Sequence, residues 1–278
     1  MTLRQIAPYR TEASRFFEDI CAQGDCLHLR PQQRVPLPPA DKVIVLREGM
    51  LAIDAMPEKG KLQVLDFLVA GDVVSASTIL PTPRVSLRAI TSASLVALEP
   101  PEFYGEVPIH DYWTFVTAQC FRQLARVNVH QLMIGRLETE PRVASFVLAL
   151  ALRGVRSNAS RITVALPMSR VDIANYLVIN CDTLSRTMMR FCDSGLSERE
   201  SRHAIRVVDL DALKKKTPLA PLLSAVFTTN AGQEEVGLAL AVQKDVLVPS
   251  VNENRRVIVR PATNLPPTHS NAEHAYAS

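Results

Sequence analysis

The sequence predicts an α+β chain: a β-rich N-terminal part, a long central helix and a small helical C-terminal unit closed by strands. Three observations predict it. Between about Pro31 and Pro101, short β-prone runs alternate with turn residues. After Pro108, apolar residues recur every three or four positions. From Ser169, two short helical segments meet at a tight corner, and a further strand follows.

Composition bounds what such a chain can do. Its 278 residues, 47% of them hydrophobic and 21% charged, allow two domains and a sizeable core without disulfide or metal staples. A net charge of +3 is compatible with a nucleic-acid partner but does not by itself imply one. No apolar run approaches a bilayer span, and the opening "MTLRQIAPYRTEASRFFEDI" lacks the apolar centre of a signal peptide. A cytoplasmic chain with no membrane partner is therefore expected. The five cysteines, Cys21, Cys26, Cys120, Cys181 and Cys192, are odd in number and scattered, which is not a disulfide framework. There is no nucleophile motif, phosphate loop or zinc-ligand spacing, so neither an enzyme nor a metal site is expected.

Each element has its own signal. Residues 1–30 form an N-terminal segment ahead of the strands. In 31–110, "KVIVLREGMLAIDAMPEKGKLQVLDFLVAGDVV" breaks at Glu48-Gly49, Glu58-Lys59-Gly60 and Gly71-Asp72, and "RVSLRAITSASLVALEP" continues the pattern. Short strands at near-regular spacing predict a small β-sandwich or roll. A helix is predicted over 111–137 with Asp111 as N-cap. Its apolar positions Trp113, Val116, Cys120, Leu124, Val127, Ile134 and Leu137, interrupted at Gln131, suit either a coiled-coil seam or packing on its own sheet.

The unit over 138–216 opens with "TEPRVASFVLALALRG", where Thr139 can cap, Pro141 fits the first turn and Gly154 ends the helix. "RITVAL" alternates as a strand. Ser169 caps a short helix to Leu177, with Val171, Ile173 or Ala174, and Leu177 expected to face inward. "VIN" makes the corner, Asn180 caps a second helix from Cys181 to about Cys192, and Gly195 stops it. "HAIRVVDLDAL" supplies a strand, with "SERESR" as the loop before it. Residues 217–278 read as a C-terminal extension: "KDVLVPSVNENRRVIVRP" could pair as strands, whereas "NLPPTHSNAEHAYAS" has a disordered composition.

Two short helices, a corner and a strand pair describe a winged helix-turn-helix, whose second helix enters the DNA major groove. Asp182, Ser185 and Arg186 lie at i, i+3 and i+4, on one face of its first turns, and Met189 and Arg190 extend that face. The planar fork of arginine suits guanine O6 and N7, and a carboxylate can accept from cytosine N4. Polar residues at a helix start can equally just cap it and face water. Leu184, Met188 and Phe191 form the opposite, inward face. Ser169, Arg170, Arg190, Arg199, Arg202 and His203 are candidates for phosphate contact, diluted by Glu198, Glu200 and Asp209.

This order of parts, with "LPMSRVDIANYLVINCDTLSRTMMRFCDSGL", resembles the Crp/Fnr family of bacterial transcription regulators, and its Fnr/FixK branch in particular. "VLREGML", "GKLQVLDFLVAGDVV" and "RAITSASLVALEP" are similar to the family's β-roll, which is of the cyclic-nucleotide-binding type. The resemblance spans about Val43 to Lys214. It implies a homodimer paired through the long helix, a palindromic DNA site and RNA polymerase as a partner. The seam would then carry Val116, Cys120, Leu124, Val127 and Ile134. In the Fnr branch a Glu, a Ser and an Arg read a TTGAT-type half-site. Ser185 and Arg186 match two of these, while Asp182 stands where that branch has glutamate. Val178 stands where the family usually has glycine, and would be strained if the corner needs a positive φ.

The effector stays open: oxygen, nitric oxide or redox state fits the branch. Cyclic-nucleotide binders carry a Gly-Glu pair followed by an Arg-Ser pair. "AGDVVSASTILPTPRVSLRA" has Asp72 and Val73 at the first, and Arg84 and Ser86 without the usual spacing, which argues against a cyclic nucleotide. An Fnr-type iron–sulfur cluster needs four converging thiolates. Cys21 and Cys26 could give two, but the β-roll position is apolar and Cys120 lies on the long helix, which argues against a four-cysteine cluster. His28 and His110 are open as haem ligands. Cys181 opens the second helix, where unpaired N–H groups favour a thiolate, with Arg186 a turn on; a redox role and an inert one both fit. The alternative to a regulator is a dimeric β-roll ligand-sensing or interaction module with weakened DNA recognition, for which Asp182 and Val178 speak.

Overall fold

The computed structural model describes residues 21, 24–39, 42–75, 84–98, 109–154 and 162–227. The strand pairs of the N-terminal part build two four-stranded antiparallel sheets. One has the order β1 (Asp25–Leu29), β8 (Ala93–Leu98), β3 (Val43–Glu48), β6 (Val73–Ser75). The other runs β2 (Arg34–Pro36), β7 (Val85–Ala89), β4 (Met50–Ala55), β5 (Gln63–Val69). The apolar run Val43–Leu46 is continuous because both faces of β3 are covered. Ile44 and Leu46 point between the sheets with Leu51, Leu68, Leu87 and Leu95, and Val43 and Val45 point out against the long helix. Gly49 turns β3 into β4 at φ +90°, where a Cβ would lie 2.2 Å from the Ser92 carbonyl oxygen.

The long helix, α1 (Ile109–Arg136), starts two residues before the predicted Asp111 cap. Of the two uses its apolar residues allow, packing on the chain's own sheet is met, and a second set of apolar residues lies on another face. Tyr112 and Val116 are buried against Val43, Val45, Val96 and Leu98 of the chain's own sheet, and Cys120 borders that cluster. Val116 is therefore committed to the roll and does not line an open seam. Trp113, Phe121, Leu124 and Leu132 remain between 42% and 55% exposed, and Val127 and Ile134 are half-buried. Arg126 pins the helix to the second sheet, donating to Asp66 at 3.2 Å and Asp72 at 2.9 Å, with all three residues buried. Burial opposes its charge, but these two carboxylates outweigh that and raise its pKa.

The C-terminal unit packs α2 (Thr139–Gly154) against a three-stranded sheet of order β10 (Ser197–Ser201), β11 (Ala204–Val207), β9 (Ile162–Ala165). "SERES", expected as a loop, is itself a strand paired with β11: Ser197 is buried while the charged side chains face water, a pattern a loop shares. The helix pair is α3 (Arg170–Leu177) and α4 (Cys181–Asp193), followed by α5 (Leu210–Lys215) and α6 (Ala220–Phe227). Val171, expected inside, is 57% exposed; Asp172 takes the inward place beside Ile173 and Ala174.

The boundary expected at 216 is crossed by the core. Thr217 is buried, its Oγ1 2.6 Å from Ser145 Oγ, and Leu219 and Leu223 join the cluster around α2. Arg153 lies over the Phe227 ring at 4.8 Å. The strand pair and disordered tail expected further on, with His269 and His274, lie outside the described residues, as does most of the N-terminal segment. Among the described residues no helix is long and apolar enough to cross a membrane.

Candidate nucleic-acid interface

The helix pair is built by its caps. Ser169 and Asp172 close α3 reciprocally: Ser169 Oγ accepts from the Asp172 N–H at 3.0 Å, and Asp172 Oδ2 accepts from the Ser169 N–H at 3.1 Å. Asn180 Oδ1 accepts from the Asp182 N–H at 3.0 Å, which starts α4 at Cys181 as the sequence predicts. Between them Val178 adopts φ 54°, ψ 47°, the left-handed conformation that favours glycine, and its side chain is 54% exposed. That conformation costs an L-residue about 1–2 kcal/mol, and glycine returns part of this through unfolded-chain entropy. Val178→Gly is therefore expected to raise stability by about 1 kcal/mol, read as a higher urea midpoint at unchanged slope. A lower midpoint would mean that the valine's contacts outweigh its backbone strain.

Arg142, on α2, holds this corner from behind. Its Nη1 donates to the Leu177 carbonyl at 3.0 Å and its Nη2 to the Leu137 carbonyl at 2.7 Å, so one guanidinium ties the end of α3 to the chain just after α1. Sequence reasoning missed it, because an arginine in the first turn of an amphipathic helix looks like surface.

On α4, Leu184, Thr187, Met188 and Phe191 are buried, and Asp182, Ser185, Arg186, Met189 and Arg190 are exposed. The structure thus brings the three predicted base-reading residues together on one open face. Asp182 and Arg186 form no ion pair among the described residues, so both heads face solvent. Arg190 is engaged: its guanidinium reaches Thr187 at 3.1 Å and Glu140 at 3.6 Å. Lys216 also pairs with Glu140 at 2.9 Å and holds that carboxyl below its ordinary pKa.

Around this face lie the predicted phosphate contacts. Ser169 is exposed, with its hydroxyl in the cap. Arg170 is half-buried, and its Nη1 is buried without a hydrogen-bond partner among the described residues. Burial, and then the nearby charge of Arg199, lower its pKa. Two guanidiniums near enough to repel, one with an orphaned N–H, form an electrostatic arrangement that an anion would relieve. Arg199, Arg202 and His203 are exposed on the β10–β11 hairpin. Arg206 instead pairs with Glu200 at 2.9 Å and Glu198 at 3.4 Å, withdrawing those carboxylates from the other arginines.

Cys181 is half-buried at the first position of α4 and touches the core. Cys192, near the end of the same helix, lies 3.7 Å from Ser197 Oγ. Cys21 is buried under α1, whereas Cys26 is exposed on β1, 3.2 Å from Ser94 Oγ and 3.7 Å from His28 Nε2. Burial raises the pKa of Cys120. Among the described residues no three His, Cys, Asp or Glu side chains gather where they could hold a metal ion. Asp72 is used within the roll, accepting from the Val69 N–H at 2.9 Å and from Arg126. The side chain of His110 lies outside the described residues.

The family model of the Crp-like helix-turn-helix domain matches residues 141–216. The nitrogen fixation regulation protein FixK of Azorhizobium caulinodans is 31% identical over 180 residues, 63% of this chain and 71% of that protein. The transcriptional regulatory protein Btr of Bordetella pertussis is 31% identical over 186 residues, 64% of this chain and 74% of that protein. In fold, the chain is similar to FixK2 from Bradyrhizobium japonicum, with a TM-score of 0.58 at 22% identity, over 70% of this chain and 97% of that one. With capped helix pair, hairpin, β-roll and long helix in the same order, the chain belongs to the Crp/Fnr family of transcription regulators, with a DNA-binding helix-turn-helix.

Proposed function

We propose that the chain acts as a homodimer on a palindromic TTGAT-like DNA site, with RNA polymerase as partner, and that redox state, oxygen or nitric oxide controls its occupancy. The observation that carries this reading is the open face of α4, where Asp182, Ser185 and Arg186 stand together with no ion pair for Asp182 or Arg186 among the described residues. Arginine and serine suit the bases of such a half-site, and the shorter Asp182 shifts preference at the position that glutamate reads in the Fnr branch. Arg170 and Arg199, with Arg202 and His203 on the hairpin, set the register on phosphates. The exposed apolar side chains of α1, Trp113, Phe121, Leu124 and Leu132, support pairing of two long helices, with Val127 and Ile134 at the margin of that stripe.

Redox control is assigned to Cys181. It sits one residue from Asp182, so an oxidised sulfur there would add bulk or negative charge against a DNA phosphate. The test is to purify the protein without air, record its visible spectrum, and footprint a TTGAT-type palindrome before and after peroxide. Cys181→Ser is expected to keep its footprint after peroxide while the unsubstituted protein loses its own. Equal peroxide sensitivity in both removes Cys181 from the mechanism. A coloured protein whose spectrum and footprint change together would move the sensor to a bound cofactor.

A further inference from the structure

The β-roll and the DNA-binding unit are joined through a buried ion pair whose two halves have other duties. Arg88 on β7 donates from Nε and Nη2 to Asp54 at 2.6 and 3.1 Å, and from the same Nη2 to Asp172 Oδ1 on α3 at 2.7 Å. The Arg88 side chain is 4% exposed and that of Asp172 10%. Asp54 has a second cation, Arg34 at 2.8 Å, so the roll does not depend on Arg88 alone to balance that carboxylate. Asp172 divides its two oxygens. Oδ2 closes the first turn of α3 on Ser169, and Oδ1 faces the roll.

Two neighbouring joints act on the same side of α3. Gln63 Nε2 donates to the Asn175 carbonyl at 2.7 Å, and His130 Nε2–H, on α1, to the Tyr176 carbonyl at 2.9 Å. The His130 ring also stacks on Tyr176, with centroids 4.1 Å apart. Positions 172, 175 and 176 are i, i+3 and i+4, one face of the helix. The residues at its start that point elsewhere, Ser169, Arg170 and Val171, are those beside the proposed DNA surface. Of the three joints only the Arg88–Asp172 contact is ionic at both ends, so tilting α3 away would leave a buried charge without its partner.

We propose that Arg88 is a positioning residue for DNA recognition. Through Asp172 it sets the direction in which α3 and α4 project from the β-roll, and hence the separation of the two recognition helices. The inference rests on the reading of the chain as a dimer on a palindrome. Half-site spacing is a geometric match between two rigidly held helices, so a small rotation of each unit costs the second half-site while leaving the first available.

The experiment compares Arg88→Gln and Asp172→Asn with the unsubstituted protein on two duplexes, a TTGAT-type palindrome and the same duplex with one half-site scrambled. In Asp172→Asn the amide oxygen can still accept from Ser169, so α3 keeps a cap while the charge pair is lost. Each variant is expected to lose roughly 5- to 150-fold in affinity for the palindrome, the usual range of a coupling between sites, with half-site affinity unchanged. The double variant is expected to be no worse than the weaker single one. Parallel loss on both duplexes, or no loss on either, overturns the proposal; half-site binding also reports whether each variant folds. An unsubstituted protein that binds both duplexes alike would remove the dimeric reading itself, a result separate from any effect of the variants.

Discussion

Arg186→Ala is expected to erase the preference for a palindromic site while leaving the fold intact. The Arg186 side chain is exposed and makes no ion pair among the described residues, so its removal takes nothing from the core. Surface changes of this kind stay within about 0.5 kcal/mol of the parent in stability. At the DNA the loss is different in kind. A bidentate arginine–guanine contact discriminates by about 1–3 kcal/mol, and the proposed dimer would make it twice, so specific affinity should fall roughly 30-fold to 10⁴-fold. Anisotropy titrations of palindromic and scrambled duplexes at one salt concentration would measure it. If both affinities fell equally and the salt slope dropped, Arg186 would be a phosphate contact, and sequence reading would pass to Asp182 and Ser185.

Arg126→Met is expected to give the largest stability loss, about 3–5 kcal/mol, because it strands the buried carboxylates of Asp66 and Asp72 against α1. The methionine replaces the arginine's stem, so the loss is electrostatic more than volumetric. Adding Asp66→Asn and Asp72→Asn should return much of it, since each amide oxygen can still accept from the backbone N–H groups that Asp66 and Asp72 now serve, of Phe67 and Val69. Urea melts of the single and triple variants decide the matter. A single-variant loss below about 1 kcal/mol would mean that water reaches the site and that the helix is held by its apolar contacts alone.

The recognition unit was legible because its signals are local. Ser169, Asn180 and the spacing of Leu184, Met188 and Phe191 each act within a turn or two of the residue that carries them, and all are met. Val178 was legible as a conflict: a β-branched residue stands at a corner that requires a positive φ, and the corner keeps that φ. The hairpin was half legible, since "SERES" has too few apolar residues to announce a strand whose partner supplies the pairing. Arg142, Arg88 and Arg126 were not legible. Each is a charged residue in a pattern that reads as surface, and each is engaged by an element distant in sequence, Arg88 and Arg126 buried and Arg142 half-buried.

The sequence by itself determined the order of parts, the caps that start the two recognition helices, and which side of α4 faces out, because turn chemistry and helical period act over a few residues. Only the tertiary structure decided which face of α1 the roll consumes, why residues 217–227 belong to the core, and how Arg88 ties α3 to the β-roll. Those outcomes depend on which surfaces meet and on where buried charges find partners. Neither is written in the spacing of any one segment.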